Sequence, residues 1–125
     1  MMIRRLPIAI GTLFLAVGAP VIARAHSFPA SENPAAGQTL PGPPPQVAIT
    51  YDAPIEKLFA SLEVLNSAGV NQAAGSPQVS ADGSTMSVPI AHLAPGDYTV
   101  KWRVVCADTH HTEGSYSFTV AGGQP

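Results

Sequence analysis

The sequence predicts an all-β chain, an antiparallel sandwich of two sheets sharing one apolar core. Three observations predict it. Apolar residues alternate with period two in five runs: Val47, Ile49 and Tyr51; Leu62 and Val64; Met86, Val88 and Ile90; Tyr98, Val100, Trp102 and Val104; and Tyr116, Phe118 and Val120. That spacing puts each set on one face of a pleated strand. Breakers separate the runs, at residues 41–45, 67–76, Asp82-Gly83 and Pro95-Gly96, as expected of short strands joined by turns. No segment sustains a 3.6-residue period over several turns, although residues 55–59 are compatible with a single helical turn.

In chain order, residues 1–25 have the form of a signal peptide. Arg4 and Arg5 supply the positive start, residues 6–17 (LPIAIGTLFLAV) the apolar stretch, and Ala23-Arg24-Ala25 an A-x-A cleavage site. The apolar stretch is too short and wrongly flanked for a stable span, and nothing after it is apolar for long enough to cross a bilayer. Cleavage after Ala25 leaves an exported chain of residues 26–125, the size of one small domain. Within it Trp102 is the expected centre of the core. The stretch from Leu93 to Tyr98 resembles the tyrosine corner of immunoglobulin-like domains, in which the hydroxyl ties a loop back. The small, polar residues 121–125 are expected to fray.

Charge and cysteine content narrow the function. After cleavage Lys57, Lys101 and Arg103 stand against eight acids, a net charge of −5, which argues against nucleic acid or anionic lipid as partner. The single cysteine, Cys106, excludes an internal disulfide, so packing must stabilise the domain. Cys106 shares strand phase with Trp102 and Val104 and is expected to be buried.

Two features carry chemistry. Cleavage after Ala25 makes His26 the first residue, and an N-terminal histidine offers a metal two nitrogens, its α-amine and ring Nδ1. Asp108 and His110 lie two apart after the strongest strand, so both can converge on one point. Continuing that strand's phase would aim them into the core, where an unpaired charge is prohibitively costly, so the chain is expected to leave the sheet near Cys106 and Ala107 and carry them to the rim. Three nitrogens and one carboxylate oxygen suit Cu(II), which heads the affinity order for such donors. Structural zinc prefers thiolate-rich sets, which the sequence lacks. Asp-x-His alone is commonly a surface pair; it gains meaning beside an N-terminal histidine. His111 is expected to face away from His110, His92 to sit in a loop, and Glu113 to support a ligand imidazole.

At this point the residues resemble a family. HSFPASENPAAGQTL, from His26 onward, is similar to the opening of the CopC-type periplasmic copper-resistance proteins, and WRVVCADTHHTEGSYSFTV resembles their closing motif. The resemblance implies a seven-stranded, Greek-key, cupredoxin-like or immunoglobulin-like sandwich that binds Cu(II) through His26, Asp108 and His110. It also implies a periplasmic location and a CopD-like inner-membrane transporter or another copper protein as acceptor.

The sequence departs from the family in three places. Residues 66–77 contain no methionine where some members carry a methionine-rich loop, and Met86, the only methionine after residue 25, lies on an alternating strand as core filler. His111 follows the metal histidine where proline is usual, and Glu32 replaces a usual serine. The expectation is therefore a non-enzymatic carrier or buffer of Cu(II) alone, with affinity falling below pH of about 6 to 7, where a reference histidine becomes charged. The rival reading is a histidine-brace copper oxidase or monooxygenase. Against it stand the small size, the lack of a wide aromatic substrate face and the anionic Asp108, which favours Cu(II) over Cu(I).

Overall fold

In the computed structural model the described residues are 11–12, 18 and 27–122. They form eight strands: β1 (Pro29–Asn33), β2 (Thr39–Leu40), β3 (Gln46–Tyr51), β4 (Ser61–Leu65), β5 (Gln78–Val79), β6 (Thr85–Pro89), β7 (Gly96–Val105) and β8 (His111–Val120). Two four-stranded sheets result, ordered β1-β3-β6-β5 and β2-β8-β7-β4. All pairs are antiparallel except β2 with β8, which run parallel. No helix occurs among the described residues.

The alternation read from the sequence decides the packing. Val47, Ile49, Met86 and Val88 face inward from one sheet and meet Leu62, Val64, Val100, Val104 and Phe118 from the other, all buried in one cluster. Ile90 falls one residue beyond β6, in an isolated bridge to Ala73, and packs partly buried against this cluster. Residues 55–59 form no helical turn. Ile55 is buried and bridges to Cys106, while Leu58 and Phe59 are exposed and Phe59 takes a left-handed backbone (φ 66°).

The tyrosine corner is present, with the Tyr98 hydroxyl donating to the Ala94 carbonyl at 2.5 Å. Ala121 remains held, its N–H donating to the Leu40 carbonyl at 2.8 Å, and residues 123–125 lie outside the described set. Turn chemistry explains two of the breaker segments. Asn66 Oδ1 accepts from the N–H groups of Ala68 and Val70, and Gly69 supplies a left-handed residue (φ 77°). Asp82 Oδ1 accepts from both the N–H and hydroxyl of Ser84 and from the Ser80 hydroxyl, closing the turn between β5 and β6.

Trp102 sits in the core as expected, edge-on to Tyr51 with ring centroids 5.7 Å apart. It is paired across the ladder with Gly114, so both residues point to the same face. The indole occupies the space a side chain would need there: a Cβ on Gly114 would lie 2.7 Å from Cζ2 of Trp102.

Two predictions follow from this packing and turn chemistry. Gly114→Ala should cost about 1–3 kcal/mol through overpacking against the indole, measured by urea unfolding. Retention of full stability would mean the Trp102 ring is free to move aside. The second concerns acid. The serine hydrogen bonds hold the Asp82 carboxyl at about 2, below its ordinary 3.8. Because the folded value is the lower one, this contribution to stability is complete above pH of about 4 and fades as pH falls towards 2. Asp82→Ala should therefore flatten the acid limb of the stability profile in that window.

Candidate metal centre at the β7–β8 hairpin

β7 carries its alternation to Val104 and then turns. The Cys106 N–H donates to the His110 carbonyl at 2.8 Å, and the Thr109 N–H donates back to the Cys106 carbonyl at 2.9 Å. Thr109 is left-handed (φ 72°), which closes the tight connection before β8 begins at His111. The chain thus leaves the sheet at Cys106, as the cost of burying a charge requires. Asp108 and His110 emerge on the loop, with side chains 28% and 64% exposed.

The two side chains are joined. Asp108 Oδ2 lies 2.9 Å from His110 Nδ1, and Asp108 Oδ1 accepts from the His110 N–H at 3.1 Å. The carboxylate therefore fixes the imidazole through both ring and backbone. A carboxylate can only accept, so the tautomer that hydrogen-bonds Asp108 through Nδ1 carries its proton there and its lone pair on Nε2.

A second segment is tied to the same hairpin. Ser27 is fully buried, and its N–H donates to Cys106 Sγ at 3.0 Å while its carbonyl accepts from the Thr112 hydroxyl at 2.7 Å. The Ser27 hydroxyl donates to the Pro54 carbonyl at 3.0 Å. Phe28 pairs with Asp52 twice, donating its N–H to Oδ1 at 2.8 Å and accepting from the Asp52 N–H at 2.9 Å. Ser27, Thr112 and Asp52 were not evident from the sequence. Thr112 alone left a trace, as a polar residue in the inward phase of Tyr116 and Phe118.

The other expectations sort by position. Cys106 is a buried free thiol. His111 is exposed at the start of β8. His92 is exposed before β7, at the opposite end of that ten-residue strand from the hairpin loop. Glu113 does not support an imidazole: β8 turns it to the outer face, where its Oε2 accepts from Arg103 Nε at 3.3 Å. Met86 is fully buried core, as expected. His26 and the residues of the proposed leader, apart from Gly11, Thr12 and Gly18, lie outside the described residues. Among the described residues no three His, Cys, Asp or Glu side chains form a metal-binding group, so Asp108 and His110 are a partial donor set.

An open groove of about 610 Å³ crosses the outer face of the β4–β7–β8 sheet, lined by Ser61, Glu63, Lys101, Arg103, Glu113 and Ser115 among others. It includes neither Asp108 nor His110.

The described residues define a small two-sheet β-sandwich with a carboxylate–imidazole pair on a rim hairpin. Comparison with known sequences gives the family: the CopC domain model matches residues 30–121, and the chain belongs to that family. Among solved structures it is similar to CopC from Methylosinus trichosporium OB3b, with a TM-score of 0.75 and 29% identity over 80% of this chain and 98% of that one. It is also similar to PcoC, a methionine-rich copper resistance protein from Escherichia coli, with a TM-score of 0.67 and 26% identity over 77% of this chain and 99% of that one. A relative from Bacillus subtilis (strain 168), the copper transport protein CutJ, is 30% identical over 110 residues, 86% of this chain but 20% of CutJ.

Proposed function

We propose that the exported form of this chain begins at His26 and is a periplasmic, non-enzymatic carrier or buffer of Cu(II). The metal is its cargo. The α-amine and Nδ1 of His26 form a chelate, His110 adds an imidazole nitrogen, and Asp108 stands beside the metal as the carboxylate. The observation that carries this reading is the pairing of Asp108 with His110 on a hairpin to which Ser27 is also bonded. Membership of the CopC family and the copper resistance and transport roles named for its relatives support copper as the ion.

The donor chemistry favours Cu(II). Nitrogen and carboxylate oxygen donors suit the cupric ion, and the only methionine after residue 25 is buried in the core. An exposed imidazole at the rim also suits release by ligand exchange to an acceptor, such as a CopD-like inner-membrane importer or another copper protein. Because the amine and imidazoles must shed protons to bind, affinity declines as pH falls.

The test uses protein beginning at His26. His26→Ala, His110→Ala and Asp108→Asn should each weaken Cu(II) binding in a chelator competition, by about tenfold or more for the first, with the fold retained by circular dichroism. One extra residue before His26 should do comparable damage. Unchanged affinity in the extended protein would refute the chelate. Rapid peroxide formation with ascorbate would favour an oxidase instead.

A further inference from the structure

Sheets avoid pairing with foreign strands by blunting their edges, and most edges of this sandwich are blunted. β1 carries Pro29 and a register shift in its pairing with β3. β2 and β5 are two residues each. β4 is closed by the turn that follows it: the Gln72 N–H donates to the Val64 carbonyl at 2.7 Å, and the Val64 N–H donates to Asn71 Oδ1 at 3.0 Å. The first half of β8 has none of these devices.

β8 is ten residues long, and its ladder with β7 is unbroken from His111 to Val120. On the other side β2 reaches only the far end, where Thr39 and Leu40 pair with Thr119 and Val120. The bonds there fix which backbone groups face away from β7: the Ser117 carbonyl accepts from the Gly37 N–H, and the Thr119 N–H donates to the Gln38 carbonyl. Backbone groups alternate in direction along a strand, so those of His111, Glu113 and Ser115 face the same way as those of Ser117 and Thr119. Among the described residues no strand pairs with them there. Their side chains are exposed, and the stretch contains no proline, bulge or lysine.

Charge selects the occupant. The strands at this side of the sandwich, β1, β2 and β8, hold two carboxylates, Glu32 and Glu113, and no Lys or Arg. Glu32 on β1 is near enough to Tyr116 of β8 that its carboxylate, after burial, pushes the phenol up. The Arg103 guanidinium that meets Glu113 comes from β7, across β8 from the open edge. A second copy of the chain would bring its own Glu113 to this edge, and like charges facing each other across a ladder destabilise it.

We propose that the edge of β8 at residues 111–115 is a docking site for an extended, basic segment of a partner protein, which joins the sheet as a further strand. Backbone hydrogen bonds supply the pairing, and Lys or Arg side chains of the segment meet Glu113 on the outer face. The edge begins one residue after His110, so a partner held there stands beside the hairpin without using its side chains.

The probe is a heptapeptide of alternating valine and lysine, titrated into the exported protein and followed by calorimetry and amide hydrogen exchange. It should bind saturably and protect the Glu113 and Ser115 amides. Methylating alternate backbone nitrogens of the peptide should weaken binding about tenfold or more, the worth of two or more hydrogen bonds. A peptide with glutamate in place of lysine should bind more weakly still. Ser115→Pro removes an N–H that β7 does not use, so it should cost a similar factor with circular dichroism unchanged.

Absence of saturable binding, or protection confined to another edge, would overturn the proposal. Equal binding of the methylated peptide would remove strand pairing, and equal binding of the glutamate peptide would remove the basic partner. Dimerisation of the protein alone, lost in Ser115→Pro, would assign the edge to a second copy instead. Should Ser115→Pro fail to fold, the methylated peptide on the parent protein makes the same comparison.

Discussion

The inward phase of β7 cannot be continued past Val104 and Cys106 without burying a carboxylate and an imidazole between two apolar sheets, at a cost no small domain can carry. The chain turns instead, and the form of the turn matters. Cys106 and His110 are bonded across its base, Thr109 closes it in a left-handed conformation, and Asp108 grips His110 at both ring and backbone. A single desolvation constraint thus places Asp108 and His110 at the rim, beside each other. The ten-residue strands on either side are paired along their full length up to the base of the loop.

The rest of the sandwich serves that placement. Trp102 fills the space left by Gly114 two positions from the Val104–Thr112 pair, fixing the inward face at the base of the hairpin. Ile55 bridges to Cys106 and the Glu56 N–H donates to the Val105 carbonyl, so the segment before β4 braces the same end. With Ser27 bonded to Cys106 and Thr112, distant parts of the chain converge within a few residues of the Asp108–His110 pair.

Much of this was legible in the sequence because strand alternation is a local signal. Tyr98 to Val104 and Tyr116 to Val120 announce their strands and inward faces directly, and the departure at Cys106 follows from the same phase. The two-residue strands β2 and β5 are too short to show alternation, and β1 (PASEN) has an inward-facing Glu32 opposite Ile49 where an apolar residue would have marked it. Residues 55–59 read as a possible helical turn because nothing local records the bridge from Ile55 to Cys106. Glu113 was placed by nearness along the chain to His110, whereas the pleat sends it to the outer face with Arg103. The bonds from Ser27 to Cys106 and Thr112 span 79 and 85 residues, which no pattern of spacing can reveal.

The claim on which the functional account rests is that a free backbone amine joins His110 and Asp108 around one cupric ion. A crystal structure of the protein beginning at His26, loaded with a single equivalent of Cu(II), tests it most directly. The account predicts one metal bonded to the α-amino nitrogen and ring of His26 and to the ring of His110, with the Asp108 carboxylate alongside. Copper bound elsewhere, or bound at this hairpin without the amino nitrogen, would contradict it.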